Sequence, residues 1–144
     1  MIDLHRDAPL GYALVRVAKT HRRWVSAELM DMGLHIGQEL LLAQLCREEG
    51  IRQTALAEAL DIELPTVHRA LARLEAAGFV RLRRDPHDAR ASLAYLSPRG
   101  RATCARIREI WQAADQRLHE ALTEEEAARL EGLLAQMADH IKHA

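Results

Sequence analysis

The apolar residues of this chain keep a helical period from residue 9 to residue 77. They change to a strand period once, between 79 and 96, and then return to the helical one. A chain patterned in this way buries its apolar positions by closing helices around one hairpin, and long apolar runs have no part in it. The stops agree with the periods. Leu10, Ala13, Leu14, Val17, Trp24, Val25 and Leu29 mark a first helix from about Pro9 to Met32, ended by Gly33. Leu40, Leu41, Leu42 and Leu45 mark a second over about 38–48, closed by Gly50, and Leu56 and Leu60 a short third over 53–60. A fourth opens on Pro65, a residue suited to the first helical position, and runs through Val67, Leu71 and Leu74 to Gly78. Strands are expected over 79–84 and 92–96, with Asp85-Pro86-His87-Asp88 turning between them. Ser97-Pro98 opens a long fifth helix, to about Ala121, and Thr123 to Glu126 reads as the capping box of a sixth. The predicted order is αααα-ββ-αα, mainly α, in a single domain; aromatics are scarce, so its core is aliphatic.

A formal net charge of −1 seems to exclude a polyanion partner until it is resolved along the chain. Residues 1–64 hold 7 Lys/Arg against 10 Asp/Glu, residues 65–108 hold 10 against 3, and residues 109–144 hold 3 against 8. The middle segment is thus at +7 between acidic ends at −3 and −5, the distribution expected of a surface that meets nucleic acid. The charged N-terminus does not resemble a secretory leader and no apolar run approaches a membrane span, so a cytoplasmic location is expected.

Two short helices separated by Asp61-Ile62-Glu63-Leu64 make a helix-turn-helix, and a basic hairpin follows directly. One helix of such a pair can enter a major groove while the other holds its angle, and arginines on a neighbouring hairpin suit the narrow minor groove. On the fourth helix Thr66, His68, Arg69 and Arg73 are polar, opposite Val67, Leu71 and Leu74. Arg69 can donate two hydrogen bonds to guanine, and His68 can meet a base edge or a phosphate. In the hairpin, Arg81 and Arg83 share one side, Arg84 projects differently, and Arg90 follows the turn with Asp88 placed to brace its guanidinium.

The run Leu60-Asp61-Ile62-Glu63-Leu64-Pro65-Thr66-Val67-His68-Arg69 resembles the MarR-type winged helix-turn-helix regulators. So do Arg73-Leu74-Glu75-Ala76-Ala77-Gly78-Phe79-Val80-Arg81, Asp85 to Arg90, and Leu96-Ser97-Pro98-Arg99-Gly100. The resemblance extends from about Leu10 to Ile141. It implies a homodimer on pseudo-palindromic duplex DNA, with a recognition helix over 65–77 in the major groove and a wing over 79–96 in the minor groove. Pro65, Thr66, His68 and Arg69 match the groove-facing positions, Arg90 the wing-tip arginine, and Gln53 and Thr54 the start of the scaffold helix, which touches phosphates. Two departures concern the turn: Asp61 stands where glycine is usual, and Glu63-Leu64 replace a small polar cap.

The resemblance also implies that helices 9–34 and 98–143 dimerise around a DNA-binding lobe over 35–97. Leu10, Leu14, Leu130, Leu134, Met137 and Ile141 are the expected interface residues. A small aromatic or phenolic effector that releases a repressor from DNA is a further implication, with His21, Trp24 and His35 as candidate contacts. Cys46 and Cys104 are too few and too distant to suggest a disulfide framework, and the start of the first helix, Leu10-Gly11-Tyr12, has no thiol. No cofactor and no metal is expected: the fifth helix lacks a histidine pair at i,i+4, and no phosphate-binding glycine loop or nucleophile–base pair suggests an enzyme. Two other readings remain open at this point. One is a helical dimer that uses the winged fold for a protein partner; the other is a redox-sensing regulator.

Overall fold

In the computed structural model, which describes residues 1–144, the chain divides into two compact units, Met1–Ile110 and Trp111–Ala144. The first contains α1 (Leu4–Asp7), α2 (Pro9–Met30), α3 (Gln38–Arg47), β1 (Ile51–Arg52), α4 (Gln53–Leu60), α5 (Leu64–Ala76), β2 (Val80–Asp85), β3 (Asp88–Leu96) and most of α6 (Pro98–His119). The second contains the end of α6 and α7 (Glu124–Lys142). No helix is long and apolar enough to cross a membrane.

The expected elements are present, with two additions. A single turn, α1, precedes the first long helix, and β1 adds a third strand to the hairpin in the antiparallel order β1-β3-β2. Ile51 lies opposite Ala94 and Arg52 opposite Leu93, while β2 and β3 pair from Val80–Leu96 to Arg84–Ser92 before a register shift at Asp85. The sheet carries apolar residues inward (Val80, Ala94 and Leu96 are buried) and exposes Arg81 and Arg83 on its other face.

The core of this unit is aliphatic, as expected. Leu29, Leu41, Leu42, Leu45, Leu56, Val67, Leu71 and Leu74 are almost completely enclosed, with Phe79 the one large aromatic among them. One polar side chain lies there too. On α3 the apolar face is narrower than the sequence implied: Leu40 is 40% exposed, and Glu39 is 0% exposed. Glu39 Oε1 accepts from the Gly37 N–H, and Oε2 is buried without a hydrogen-bond partner.

The beginning of α6 is fixed by contact with the residues that follow α5. Ser97 caps it by accepting from the Gly100 N–H at 3.0 Å and donates its own hydroxyl to the Gly78 carbonyl at 2.5 Å. The Ser97 N–H reaches the Phe79 carbonyl at 3.0 Å. Gly100 lies so close to that carbonyl that a Cβ would stand 2.0 Å from its oxygen. In the second unit, the capping box of α7 forms as expected, Thr123 and Glu126 each bonding the other's N–H.

Two outcomes follow for stability. Gly100→Ala must push α6 away from Phe79 and is expected to cost about 1–3 kcal/mol in urea unfolding. Burial raises the Glu39 carboxyl above its ordinary value of 4.5, so folding holds the proton more tightly than the unfolded chain does. Stability therefore falls as pH rises through and above 4.5, and the cost is complete once the folded group ionises. Glu39→Gln, which keeps the acceptor for Gly37, should raise the melting temperature at pH 8, with the gain shrinking toward pH 4.5.

Candidate nucleic-acid interface

Helix α5 owes its orientation to one apolar stripe. Val67, Leu71 and Leu74 are each 0% exposed, so Thr66, His68, Arg69 and Arg73 necessarily project from the opposite side, and all four are exposed. Pro65 stands exposed in the first turn. Arg69 Nη2 lies 3.5 Å from Thr66 Oγ1, one turn back along the same face.

The turn before α5 bears out both departures read from the sequence. Asp61 is the one non-glycine residue with positive φ, at 53°, and its N–H caps α4 by bonding the carbonyls of Ala57 and Glu58. Glu63 is the N-cap of α5 and makes no side-chain capping bond.

Gln53 and Thr54 do not stand alike. Thr54 is exposed, but the Gln53 side chain is buried and its Oε1 faces His68 Nδ1. With Oε1 as acceptor, Nδ1 of a neutral His68 ring carries the proton and Nε2 is left as an acceptor. Gln53 thus sets the imidazole of α5 from the scaffold helix. The sequence showed both residues but gave no reason to pair them.

The wing is braced otherwise than expected. Asp88 Oδ1 accepts from the backbone N–H of Arg90 at 3.0 Å and does not hold that residue's guanidinium. The brace is Asp85, which is buried and pairs with Arg52 of β1 at 2.6 Å while accepting from the His87 N–H at 2.8 Å. Asp88 is a secondary partner, 4.0 Å from Arg52. Arg84 and Arg90 are exposed on the hairpin near this turn. At the other end of the wing Glu75 of α5 accepts from the Leu82 N–H at 2.7 Å, so α5 and β2 are tied together. Arg99 donates to the Ala77 carbonyl just past α5, its guanidinium 4.2 Å from the Phe79 ring centre.

Among the candidate effector contacts, His21 and Trp24 lie one turn apart on α2 and are half-buried, and His35 is exposed in the following loop. A shallow cleft lies elsewhere, on the outer face of the sheet, lined by Glu49, Arg81, Arg83, Tyr95, Leu96 and Arg101. The cysteines correct the sequence reading: Cys46 and Cys104 form a disulfide, their Cα atoms 5.9 Å apart across a separation of 58 residues.

Residues 32–91 match the MarR family. Over 122 residues the chain is 34% identical to the HTH-type transcriptional repressor Rv2887 of Mycobacterium tuberculosis, covering 85% of this chain and 88% of that one. This chain belongs to the MarR family. Its structure superimposes on Rv2887 in complex with DNA with a TM-score of 0.67, at 32% identity over 91% of this chain and 98% of that one. A mutant MarR from E. coli complexed with operator DNA gives 0.86 at 27% identity, over 95% and 99%. The MarR-family winged helix is therefore the setting of the exposed face of α5 and of the hairpin.

The Asp85 carboxyl is held below its ordinary 3.8, first by the His87 N–H and then by Arg52. A lowered carboxylate stabilises the fold above that ordinary value, and the contribution is lost as pH falls through the depressed one. Asp85→Asn should accelerate hydrogen exchange at the His87 amide at pH 7. The wild-type amide should approach the same rate only in acid, below 3.8.

Proposed function

We propose that this MarR-family chain is a sequence-specific regulator of transcription that binds duplex DNA as a homodimer and acts as a repressor. Recognition helix 65–77 enters the major groove and wing 79–96 the minor groove. The observation that carries the reading is the division of α5, three enclosed aliphatic side chains on one side and four exposed polar ones on the other. The solved complexes of Rv2887 and MarR with DNA support it.

In this reading Arg69 reads guanine, while Thr66 and Pro65 pack against base edges. His68, with Nε2 as its free acceptor, is suited to an exocyclic amino group of adenine or cytosine. Thr54 and Arg73 reach phosphates, Arg84 and Arg90 the minor groove, and Gln53 acts by holding His68.

The homodimer is supported by apolar side chains left in solvent in both units. Leu10 and Leu14 on α2 are 66% and 38% exposed, and Leu130, Leu134 and Ile141 on α7 are 43%, 40% and 71% exposed, with Met137 half-buried beside them. His21, Trp24 and His35 are the proposed contacts of a small aromatic effector that releases the DNA. The protein works in the cytoplasm, where its operator is.

The electrostatic part is tested by titrating a mixed-sequence duplex at several salt concentrations. Each cationic side chain that displaces a counterion from the phosphates, including an arginine held between them in the minor groove, adds about 0.9 to the slope of log affinity against log salt. Arg84→Ala and Arg90→Ala should each reduce that slope by about 1 and weaken binding to all sequences alike. An affinity independent of salt, or wing variants that bind as the wild type does, would contradict the assignment and favour a protein partner for the winged fold.

A further inference from the structure

We propose that Cys46–Cys104 is a reversible redox site that exchanges with low-molecular-weight thiols and disulfides, and that its oxidised state holds the wing in the shape that binds DNA. The inference rests on the DNA-binding reading for its setting: a protein at work on the chromosome meets a thiol-rich medium, in which disulfides are transient rather than structural. Neither residue is enclosed: Cys46 is exposed and Cys104 half-buried.

The bond closes a seam between α3 and α6 that an ion pair also spans. Glu49, three residues after Cys46, pairs with Arg101, three residues before Cys104, at 3.0 Å. Glu49 also accepts from the Leu96 N–H at the end of β3, at 2.8 Å. The backbone then enters β1, where Ile51 and Arg52 pair with β3 and Arg52 holds Asp85 at the wing turn. From Cys46 to the wing brace at Arg52 is thus a path of six residues, in which Glu49 is tied to both α6 and β3, and Gly50, Ile51 and Arg52 are bonded to or paired with β3. On the other side, Cys104 lies one turn beyond Gly100, at the close contact of α6 with Phe79. With the bond open, the seam retains an ion pair whose arginine is 63% exposed, a weak fastening in water.

The chemistry balances as two exchanges. A thiolate attacks Cys46 Sγ, the S–S bond breaks, and its electron pair leaves on Cys104 Sγ, which takes a proton. A second thiolate attacks the sulfur of the bound small molecule and releases Cys46. Two small thiols have then become one small disulfide, and the protein disulfide has become two protein thiols. Oxidation is the reverse, with the low-molecular-weight disulfide as oxidant.

The test equilibrates the full chain in buffers of graded glutathione to glutathione disulfide ratio. The fraction oxidised is read by alkylation and mass, and the affinity for a mixed-sequence duplex on the same samples. Hydrogen exchange at the paired β1 and β3 amides is followed without DNA. Reduction is expected to follow the buffer, to accelerate that exchange, and to weaken binding about 5-fold or more. The Cys46→Ser, Cys104→Ser double variant should stay folded by circular dichroism and match the reduced protein in every buffer.

Accelerated exchange with no DNA binding in either state would leave the redox site and its hold on the wing standing and sink the DNA-binding reading. Equal exchange rates and affinities in both states would overturn it, as would tighter binding on reduction, a bond that ignores the buffer, or a double variant that unfolds.

Discussion

Where α5 ends, β2 begins and α6 starts, a few backbone groups are satisfied together, and the rest of the proposed DNA-facing surface depends on that junction. Ser97 joins the Gly78 and Phe79 carbonyls to the first turn of α6, and Arg99 closes over the Ala77 carbonyl and the Phe79 ring. Gly100 lets α6 come within a Cβ's clearance of the chain it braces. These bonds satisfy three consecutive carbonyls at once, so the end of α5, the start of β2 and the start of α6 are placed as one piece.

From that junction α5 and the hairpin acquire their relation. The enclosed stripe of α5 sets which face is polar, Gln53 sets the imidazole on it, and Glu75 carries the position of the helix into β2. At the far end of the hairpin, the two-residue strand β1 provides the anchor, because Arg52 reaches the buried Asp85. The exposed arginines are therefore mounted on elements whose backbones are fixed by hydrogen bonds with Ser97, Arg99 and Glu75 and by one ion pair whose carboxylate is buried. Preorganisation of this kind reduces the ordering that DNA binding must offset.

Much of this was legible in the residues. The change of period at residue 79 and the stops at Gly33, Gly50 and Gly78 placed the long elements, and the capping box marked α7 because its chemistry is local. The polar set on α5 followed from helical spacing alone. What was missed is non-local. Two residues are too few to show a period, so β1 was invisible, and with it the role of Arg52. Asp88 looked like the brace because it neighbours Arg90 in sequence, whereas the bond that forms spans 33 residues, from Arg52 to Asp85. The cysteines were judged by a separation of 58, which says nothing of Cα atoms brought to 5.9 Å by two packed helices. Gln53 was read as a surface residue and Glu39 was not singled out at all, since partners 15 residues away, or a backbone N–H in the preceding loop, leave no trace in spacing.

The most direct measurement of the central claim, that α5 reads bases as one half of a two-fold dimer, is selection of bound sequences from a random duplex pool at fixed salt. Wild type and Arg69→Ala would be run in parallel. Two inverted half-sites about one helical turn apart are expected, with the preference at one position of each half-site relaxed in the variant. A pool that stays random with the wild type, or the same site enriched as strongly by the variant, would contradict it.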